Sequence, residues 1–206
     1  MGKQQRMVTR TLAIAVAGTV GVVFGGGTSS AAVDASNSLV DQQGRTVEAI
    51  VADTKINFVP PLDGNPLTRE WFHNGKACFH VSGGTGDWNG HITIGYQVGY
   101  PATLTGKLNV QYETPQLEVQ VTTPPSLYVF NLIPTVGGEL DVAFGPGITS
   151  VDAANGDVSG TDGCITLAGF HGTVTGVLGT TTVRPYVKLV SSTGDTVMAY
   201  GPTTSN

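Results

Sequence analysis

Four histidines and two cysteines are the residues of this chain best suited to metal binding or nucleophilic catalysis: His73, His80, His91, His171, Cys78 and Cys164. A metal site requires His80 and His91 to meet across adjacent strands, and no Asp, Glu or Cys at ligand spacing completes the set. Hydrogen-bonded strand histidines are therefore the favoured interpretation. Cys164 and His171 are a thiol and a base of the right types for nucleophilic catalysis, but nothing local supports that pairing.

The short motifs of the common enzyme classes are missing from the sequence. It contains no G-x-S-x-G elbow, no H-E-x-x-H helix, no phosphate-binding G-x-x-x-x-G-K and no calcium loop. We therefore expect no catalytic residues, no resident metal and no cofactor. An exported hydrolase is disfavoured because no constellation of residues could carry it.

The N-terminus has the pattern of an export signal. Three basic residues within the first ten are followed by an apolar stretch from Leu12 to Phe24 and by the small-residue sequence Ser30-Ala31-Ala32. The apolar run is short for a membrane-spanning helix, and a cleavage site follows it directly. The pattern predicts a signal peptide over residues 1–32, with a permanent anchor as the disfavoured alternative.

Export bears on both the cysteines and the charge. An oxidising compartment permits a disulfide between Cys78 and Cys164, and two buried free thiols are the alternative that the sequence leaves open. Removal of residues 1–32 takes away three basic residues and no acidic one, which changes the formal charge from −5 to −8. No basic patch remains to neutralise phosphates, so nucleic acid is not an expected partner.

Short strands separated by turns dominate the rest of the chain, which predicts an all-β protein with a β-sandwich. The segment from Thr46 to Val59 is compatible with a short helix or a strand, and Asn74-Gly75 reads as a two-residue hairpin turn. Further strands are predicted at His91–Val98, Gly163–Leu167, Phe170–Leu178, Thr181–Val190 and Thr196–Tyr200.

Two longer runs, Thr103–Glu113 and Val136–Phe144, alternate between apolar and polar residues. Each is about as long as a membrane-spanning strand, and alternation of this kind suits the wall of a water-filled barrel. A half-buried sandwich hairpin shows the same alternation. The runs therefore predict a sandwich with one hairpin too long to belong to it.

Segments in the same order along nearly the whole mature chain carry a resemblance to a known family. The chain resembles the MspA-like porins of mycolate-walled actinobacteria. The segments that carry the resemblance are Leu39–Asp41, Pro61–Gly75, Gly95–Pro101, Tyr112–Pro115, Asn131–Pro134, Gly145–Ile148, His171–Gly176 and Arg184–Asp195.

The resemblance implies a channel built from several copies of the chain. Each subunit is expected to have a β-sandwich rim, over 33–99 and 148–206, and a β-hairpin, over 100–147. The hairpin would contribute two strands to an oligomeric transmembrane β-barrel in the outer membrane (mycomembrane). The expected assembly is a ring, typically an octamer, with a companion porin chain left open. Small hydrophilic solutes and ions would diffuse passively through it.

The polar face of the hairpin gives the expected pore lining: Lys107, Asn109, Gln111, Glu113, Glu139 and Asp141. Well-known family members have a cluster of aspartates at the tip, whereas the corresponding segment 116–126 is shorter here and contains none. The expected constriction residues are Glu118, Gln120, Thr122 and Thr123.

One lysine against three carboxylates gives that face a net charge of −2, or −3 with Glu118, which predicts a cation preference weaker than in those relatives. The alternative function is a secreted or wall-associated β-sandwich binding or adhesion protein, whose long hairpin grips a partner.

Overall fold

The protein is described by a computed structural model over residues 32–84, 87–103, 107–113, 117–120, 130–134, 138–141 and 145–206. These residues form strands and no helix, which confirms the all-β prediction. In the same ranges, no helix is long and apolar enough to cross a membrane. Apart from Ala32, the predicted signal peptide lies outside the described residues.

The strands, in chain order, are β1 Val33–Val40, β2 Thr46–Val59, β3 Thr68–Ser82, β4 Asn89–Tyr100, β5 Ala102–Thr103, β6 Lys107–Glu113, β7 Leu117–Gln120, β8 Phe130–Pro134, β9 Gly138–Asp141, β10 Gly147–Ser159, β11 Asp162–Thr175, β12 Val177–Leu178, β13 Thr182–Ser191, β14 Thr196–Tyr200 and β15 Thr204–Ser205.

The strands pair antiparallel in two large sheets. The first sheet has the order β1-β2-β3-β11-β6-β9, and β7 pairs with a separate stretch of β11. The second has the order β14-β13-β4-β10-β8, with β15 also paired to β13. A separate two-stranded sheet of β5 and β12 lies where the chain leaves β4 for β6.

The core consists of side chains from both sheets. Trp71 on β3 meets Tyr96 on β4 with ring centroids 6.1 Å apart, and Tyr96 meets Phe170 on β11 at 5.3 Å. Trp88 is 2% exposed and packs against Phe79, so its side chain belongs to the core. Burial of each such large side chain contributes about 1.5–3 kcal/mol of transfer free energy, which holds the two layers together.

The ambiguous segment from Thr46 to Val59 is a strand throughout, β2. Val47, Ala49 and Val51 are buried, whereas the residues between them are partly exposed. This period of two is the pattern of a strand with one face toward the core. The loose helical spacing seen in the sequence therefore has no structural counterpart.

The hairpin turn predicted at Asn74-Gly75 is wrong, because both residues lie inside the continuous strand β3. Asn74 Oδ1 accepts a hydrogen bond from the backbone N–H of Gly169, at 2.8 Å. A Cβ atom at Gly75 would stand 2.8 Å from Nε2 of His73, so the glycine permits a close approach rather than a turn. Both neighbouring strands have a register shift beside this stretch.

The predicted strands Gly163–Leu167 and Phe170–Leu178 are largely one strand, β11, which ends at Thr175. The register of β11 against β3 shifts between Leu167 and Phe170, and Gly169 there has a φ of 64°. A β-bulge of this kind bends a strand without ending it. The Gly in the sequence marks the bulge, not a loop.

Cys78 on β3 and Cys164 on β11 are register partners and are joined by a disulfide, with an S–S distance of 2.06 Å. Of the two alternatives that the sequence leaves open, the structure holds the bonded one. The bond links neighbouring strands within the first sheet.

Candidate channel-lining ribbon and the groove beside it

The two alternating runs of the sequence pair with each other as β6 and β9. Lys107 stands opposite Asp141, and Asn109 stands opposite Glu139. Leu108 stands opposite Leu140. Because directly opposed residues of an antiparallel pair share a face, the four polar positions lie on one face and the two leucines on the other. A shift of this register by one residue would place polar and leucine side chains on the same face of the ribbon.

The other two predicted lining residues continue the same face along β6. Gln111 pairs with Thr173 of β11, and Glu113 pairs with His171. The polar face of the ribbon therefore runs directly onto β11. We call the paired strands β6 and β9 the ribbon.

The predicted constriction residues are placed elsewhere or not described. Glu118 and Gln120 lie on β7, opposite Thr166 and Cys164 of β11. Thr122 and Thr123 lie outside the described residues. In the single chain, β7 thus occupies one stretch of the β11 edge and β6 the next.

A groove of about 520 Å³ opens beside the ribbon, on the outward face of β3 and β11. Glu70 is its central charged group: its Oε1 lies 2.8 Å from Nε2 of His171, and its Oε2 accepts a hydrogen bond from the backbone N–H of Leu62, at 2.8 Å. The ring of Phe72 stacks on His171 at 4.8 Å. The groove is lined by Leu62, Asp63, Thr68, Glu70, His171, Thr173 and Thr175.

The wall of this groove is fixed by hydrogen bonds within the turn before β3. The Asp63 carboxylate accepts hydrogen bonds from the Thr68 hydroxyl, at 2.8 Å, and from the backbone N–H of Asn65, at 2.9 Å. The Thr68 and Thr175 hydroxyl oxygens lie 3.2 Å apart. Sequence reasoning missed the groove, although the alternation of polar and apolar residues from 171 to 175 was available as a signal.

Outside the groove, three aspartates are held by hydrogen bonds and ion pairs. The buried Asp41 lies 2.8 Å from the Arg45 guanidinium. Burial alone would raise the pKa of Asp41, but hydrogen bonds from Arg45 and Gln43 outweigh it and lower the pKa. The hydrogen bond from Lys76 lowers the pKa of Asp53, and that from Thr193 lowers the pKa of Asp195. These carboxylates are held ionised as structural anchors.

The histidine and cysteine pairings considered from the sequence do not form. His80 lies on β3 of the first sheet and His91 on β4 of the second, where it bonds to Asp157 at 2.8 Å. Cys164 is bonded to Cys78, and His171 contacts Glu70. These two residues therefore do not meet as nucleophile and base.

Comparison with known proteins identifies the family. The family model described as MspA matches residues 43–205, which includes the ribbon and the groove. The chain belongs to the MspA family. The resemblance predicted from the sequence segments is thereby confirmed.

Relatives in this family, all from Mycolicibacterium smegmatis (strain ATCC 700084 / mc(2)155), match over most of their length. Porin MspB is 40% identical over 205 residues, which cover 96% of this chain and 95% of the relative. Porin MspD is 43% identical over 178 residues, or 82% and 86% of the two chains. Porin MspA is 41% identical over 204 residues, or 95% and 97%.

Proposed function

We propose that this chain is one subunit of an outer-membrane porin, a water-filled channel through which small hydrophilic solutes and ions diffuse passively. Membership of the MspA family, with relatives named as porins over nearly the whole chain, carries the proposal. The ribbon register adds support, because it gathers polar residues on one face and leucines on the other. A channel of this kind is not an enzyme and needs no cofactor.

The proposed assembly is a closed ring, with an octamer as the expected size and room for a companion porin chain. The ribbon from one subunit has open strand edges, whose backbone groups lipid cannot satisfy. Ribbons from a ring of subunits close into one barrel and leave no edge. On this proposal the rim consists of 33–99 and 148–206, and the barrel hairpin of 100–147. The signal peptide directs export of the chain, which is needed for it to reach the mycolate outer membrane.

In the single chain, rim strands satisfy some of these edges. β6 and β7 pair with β11, and β8 pairs with β10. Ring formation on this proposal exchanges part of this pairing for pairing with the ribbons of neighbouring subunits. The backbone groups that β6, β7 and β8 lose from β10 and β11 are paired again in the barrel, and those freed on β10 and β11 would be left to water or to a neighbouring subunit.

The proposed channel prefers cations. Lys107 is outweighed by Glu113, Glu139 and Asp141 on the lining face, and Glu118 adds a further negative charge if it reaches the constriction. A ring multiplies this charge, and low-dielectric walls focus the field along the axis. High salt should weaken the preference, because the Debye length is only about 3 Å at 1 M.

Planar-bilayer recording of the detergent-extracted, mass-measured assembly tests the proposal. A porin gives stepwise current, whereas a wall-associated binding protein gives none. Reversal potentials across a salt gradient then test the charge argument, and an anion-selective wild-type channel would contradict it.

Glu118→Gln tests the constriction within the same recordings. We expect a smaller cation preference with conductance largely retained. Glu48→Gln, a partly exposed acidic position on β2, which β3 and β11 separate from β6 in the first sheet, is the matched control and should leave the reversal potential unchanged. If Glu118→Gln behaves like this control, Glu118 does not lie at the constriction.

A further inference from the structure

The end of the second sheet from which the hairpin emerges carries a small pocket. β4 and β10 pair there, with Tyr100 opposite Gly147 and Gly99 opposite Ile148. β13 begins at the same end, with Thr182 opposite Gly99. These pairings join β4, β10 and β13 to one another and involve none of the strands whose pairing ring formation exchanges. The pocket therefore persists in the proposed ring.

The pocket has a volume of about 210 Å³ and lies on the outward face of the sheet. Val98 and Val183, which alternate with the pocket residues along β4 and β13, are fully buried in the core. Because successive strand residues point to opposite faces, their neighbours point away from the core. The pocket is lined by Gln97, Gly99, Ile148, Thr182, Arg184 and Thr203.

Arg184 is the charged group of this pocket, and neutral groups hold it in place. Its Nε donates a hydrogen bond to Gln97 Oε1 at 3.1 Å, its Nη2 donates to the same oxygen, and its guanidinium carbon lies 4.7 Å from the centre of the Tyr200 ring. In the part of the chain that the structure describes, no carboxylate forms an ion pair with Arg184, and Asp152 on the same face contacts Lys188 instead. An oriented guanidinium without a counter-ion favours an anionic oxygen group as its ligand.

Apolar and amphipathic side chains flank this cation. Ile148 is 72% exposed and Tyr200 is 38% exposed. Ile148 directly follows the hairpin expected over 100–147, so it lies where a membrane-spanning hairpin would leave the lipid. Tyrosine is enriched at membrane–water interfaces, and arginine there keeps its charged head among the polar headgroups. Together these side chains favour contact with a membrane surface over contact with a water-filled lumen.

We propose that this pocket binds the phosphate group of an anionic phospholipid at the surface of the outer membrane. The inference rests on the proposed function, because only a membrane-spanning hairpin brings its base to the lipid surface. Arg184 contacts the phosphate oxygens, Thr182 and Thr203 line the sides of the site with hydroxyl groups, and Ile148 contacts the acyl chains. Each subunit binds one such lipid, so the ring carries a belt of lipids at a fixed depth.

Native mass spectrometry of the intact assembly, released from detergent, tests the inference. The assembly is mixed with dioleoyl phosphatidylglycerol, which has a net negative charge, or with dioleoyl phosphatidylcholine, in which choline balances the phosphate. The wild type should retain phosphatidylglycerol in preference to phosphatidylcholine, up to one molecule for each subunit. Excess inorganic phosphate should displace little of it, because the free ion lacks the acyl chains that Ile148 contacts.

Substitutions in the pocket locate the site. Arg184→Gln should weaken retention of phosphatidylglycerol about tenfold or more, the loss expected when a charge-assisted hydrogen bond is removed. Lys188→Gln removes the same charge from the same face of β13 outside the pocket, so this matched control should retain the lipid as the wild type does. Thr203→Asp, at an exposed position of the C-terminal segment, places a carboxylate beside Arg184 and should abolish the preference without touching the core.

The outcomes separate the inference from the proposed function. Absence of current in the wild type overturns the porin proposal and the membrane position of the pocket with it. A conducting wild type that retains both lipids equally overturns the lipid site alone, as does unchanged retention in Arg184→Gln or in Thr203→Asp. Complete displacement of the lipid by inorganic phosphate also overturns it, because the site would then bind the free anion. A shifted reversal potential in Thr203→Asp channels has the same consequence, because the pocket would then open into the lumen.

Discussion

His73→Gln should remove a pH-dependent loss of folding stability. The His73 side chain is buried, with 3% of the residue exposed, and its Nδ1 lies 2.6 Å from the Tyr96 hydroxyl oxygen. Its Nε2 has no hydrogen-bond partner among the described residues. Burial lowers the pKa of His73 to about 4, against a weaker opposing attraction from Asp34.

The magnitude follows from that pKa. In the unfolded chain a histidine titrates near pH 6.5, so the folded and unfolded pKa values differ by about 2.5, which corresponds to roughly 3 kcal/mol. Above pH 6.5 the ring is neutral in both states and nothing is lost. As the pH falls from 6.5 to 4, the unfolded chain gains a proton that the folded chain excludes, and the free energy of unfolding decreases. Below pH 4 both states are protonated and the loss levels off.

This pH range differs from the one in which the acidic anchors lose their stabilising effect. The pKa values of Asp41, Asp53 and Asp195 are lowered from 3.8, so their stabilising effect is present above that value and is lost only at lower pH. These three carboxylates therefore contribute little to a loss of stability between pH 6.5 and 4, the range in which His73 acts.

Denaturant unfolding followed by tryptophan fluorescence, at fixed protein concentration in detergent from pH 7.5 to 4, measures the effect. Gln at position 73 can still hydrogen-bond to Tyr96 but cannot titrate, so its stability profile should be nearly flat in this range. His80→Gln, at an exposed position on the same strand, is the control and should retain the wild-type profile. A His73→Gln profile as steep as that of the wild type would refute the reasoning.

Three further substitutions test the packing, the disulfide and the proposal that the face of the ribbon with Leu108 and Leu140 contacts lipid. Gly172→Ala should cost about 1–3 kcal/mol, because its Cβ would lie 2.5 Å from the fully buried Trp71 indole, whereas Gly99→Ala has its nearest contact at 3.7 Å and should be near neutral in the same unfolding assay. Cys78→Ser should cost about 4–5 kcal/mol and match the chemically reduced wild type, while two alkylated thiols in the native exported protein would contradict the disulfide. Leu108→Arg should impair assembly by about 2–4 kcal/mol near mid-membrane, and normal insertion with unchanged heat stability of the assembly would reverse the assignment of the two ribbon faces.

Local periodicity predicted the fold class and several strands, because exposure on one face and burial on the other leave a period of two in the sequence. The strand Thr196–Tyr200 has the predicted bounds. Errors arose where glycine serves a bulge or a close approach rather than a turn, as at Gly75 and Gly169. A dipeptide carries no information on which strand will approach it, so the sequence did not separate these uses.

The ribbon was accessible from the sequence, whereas for the groove the sequence offered only the alternation of residues 171–175 on one of its strands. Alternation on two runs is enough to group Lys107 and Asn109 with Glu139 and Asp141 once the runs pair. The Glu70–His171 contact joins residues 101 positions apart, and it depends on β11 lying beside β3. Long-range strand order of this kind depends on how the whole sheets pack, and local patterns in the sequence do not determine it.

The disulfide gives the chain a topological property that bears on the order of its maturation. Cys78 and Cys164 are 86 residues apart, so the bond closes a covalent loop that contains the whole of 100–147. Once the loop is closed, β3 and β11 cannot separate at that point, however the ribbon moves. A ribbon that leaves the β11 edge for a neighbouring subunit therefore pivots beside a fixed seam. Oxidation before assembly therefore fixes the register of β3 against β11 at that point, whereas in a reduced chain backbone pairing and side-chain packing alone would hold it.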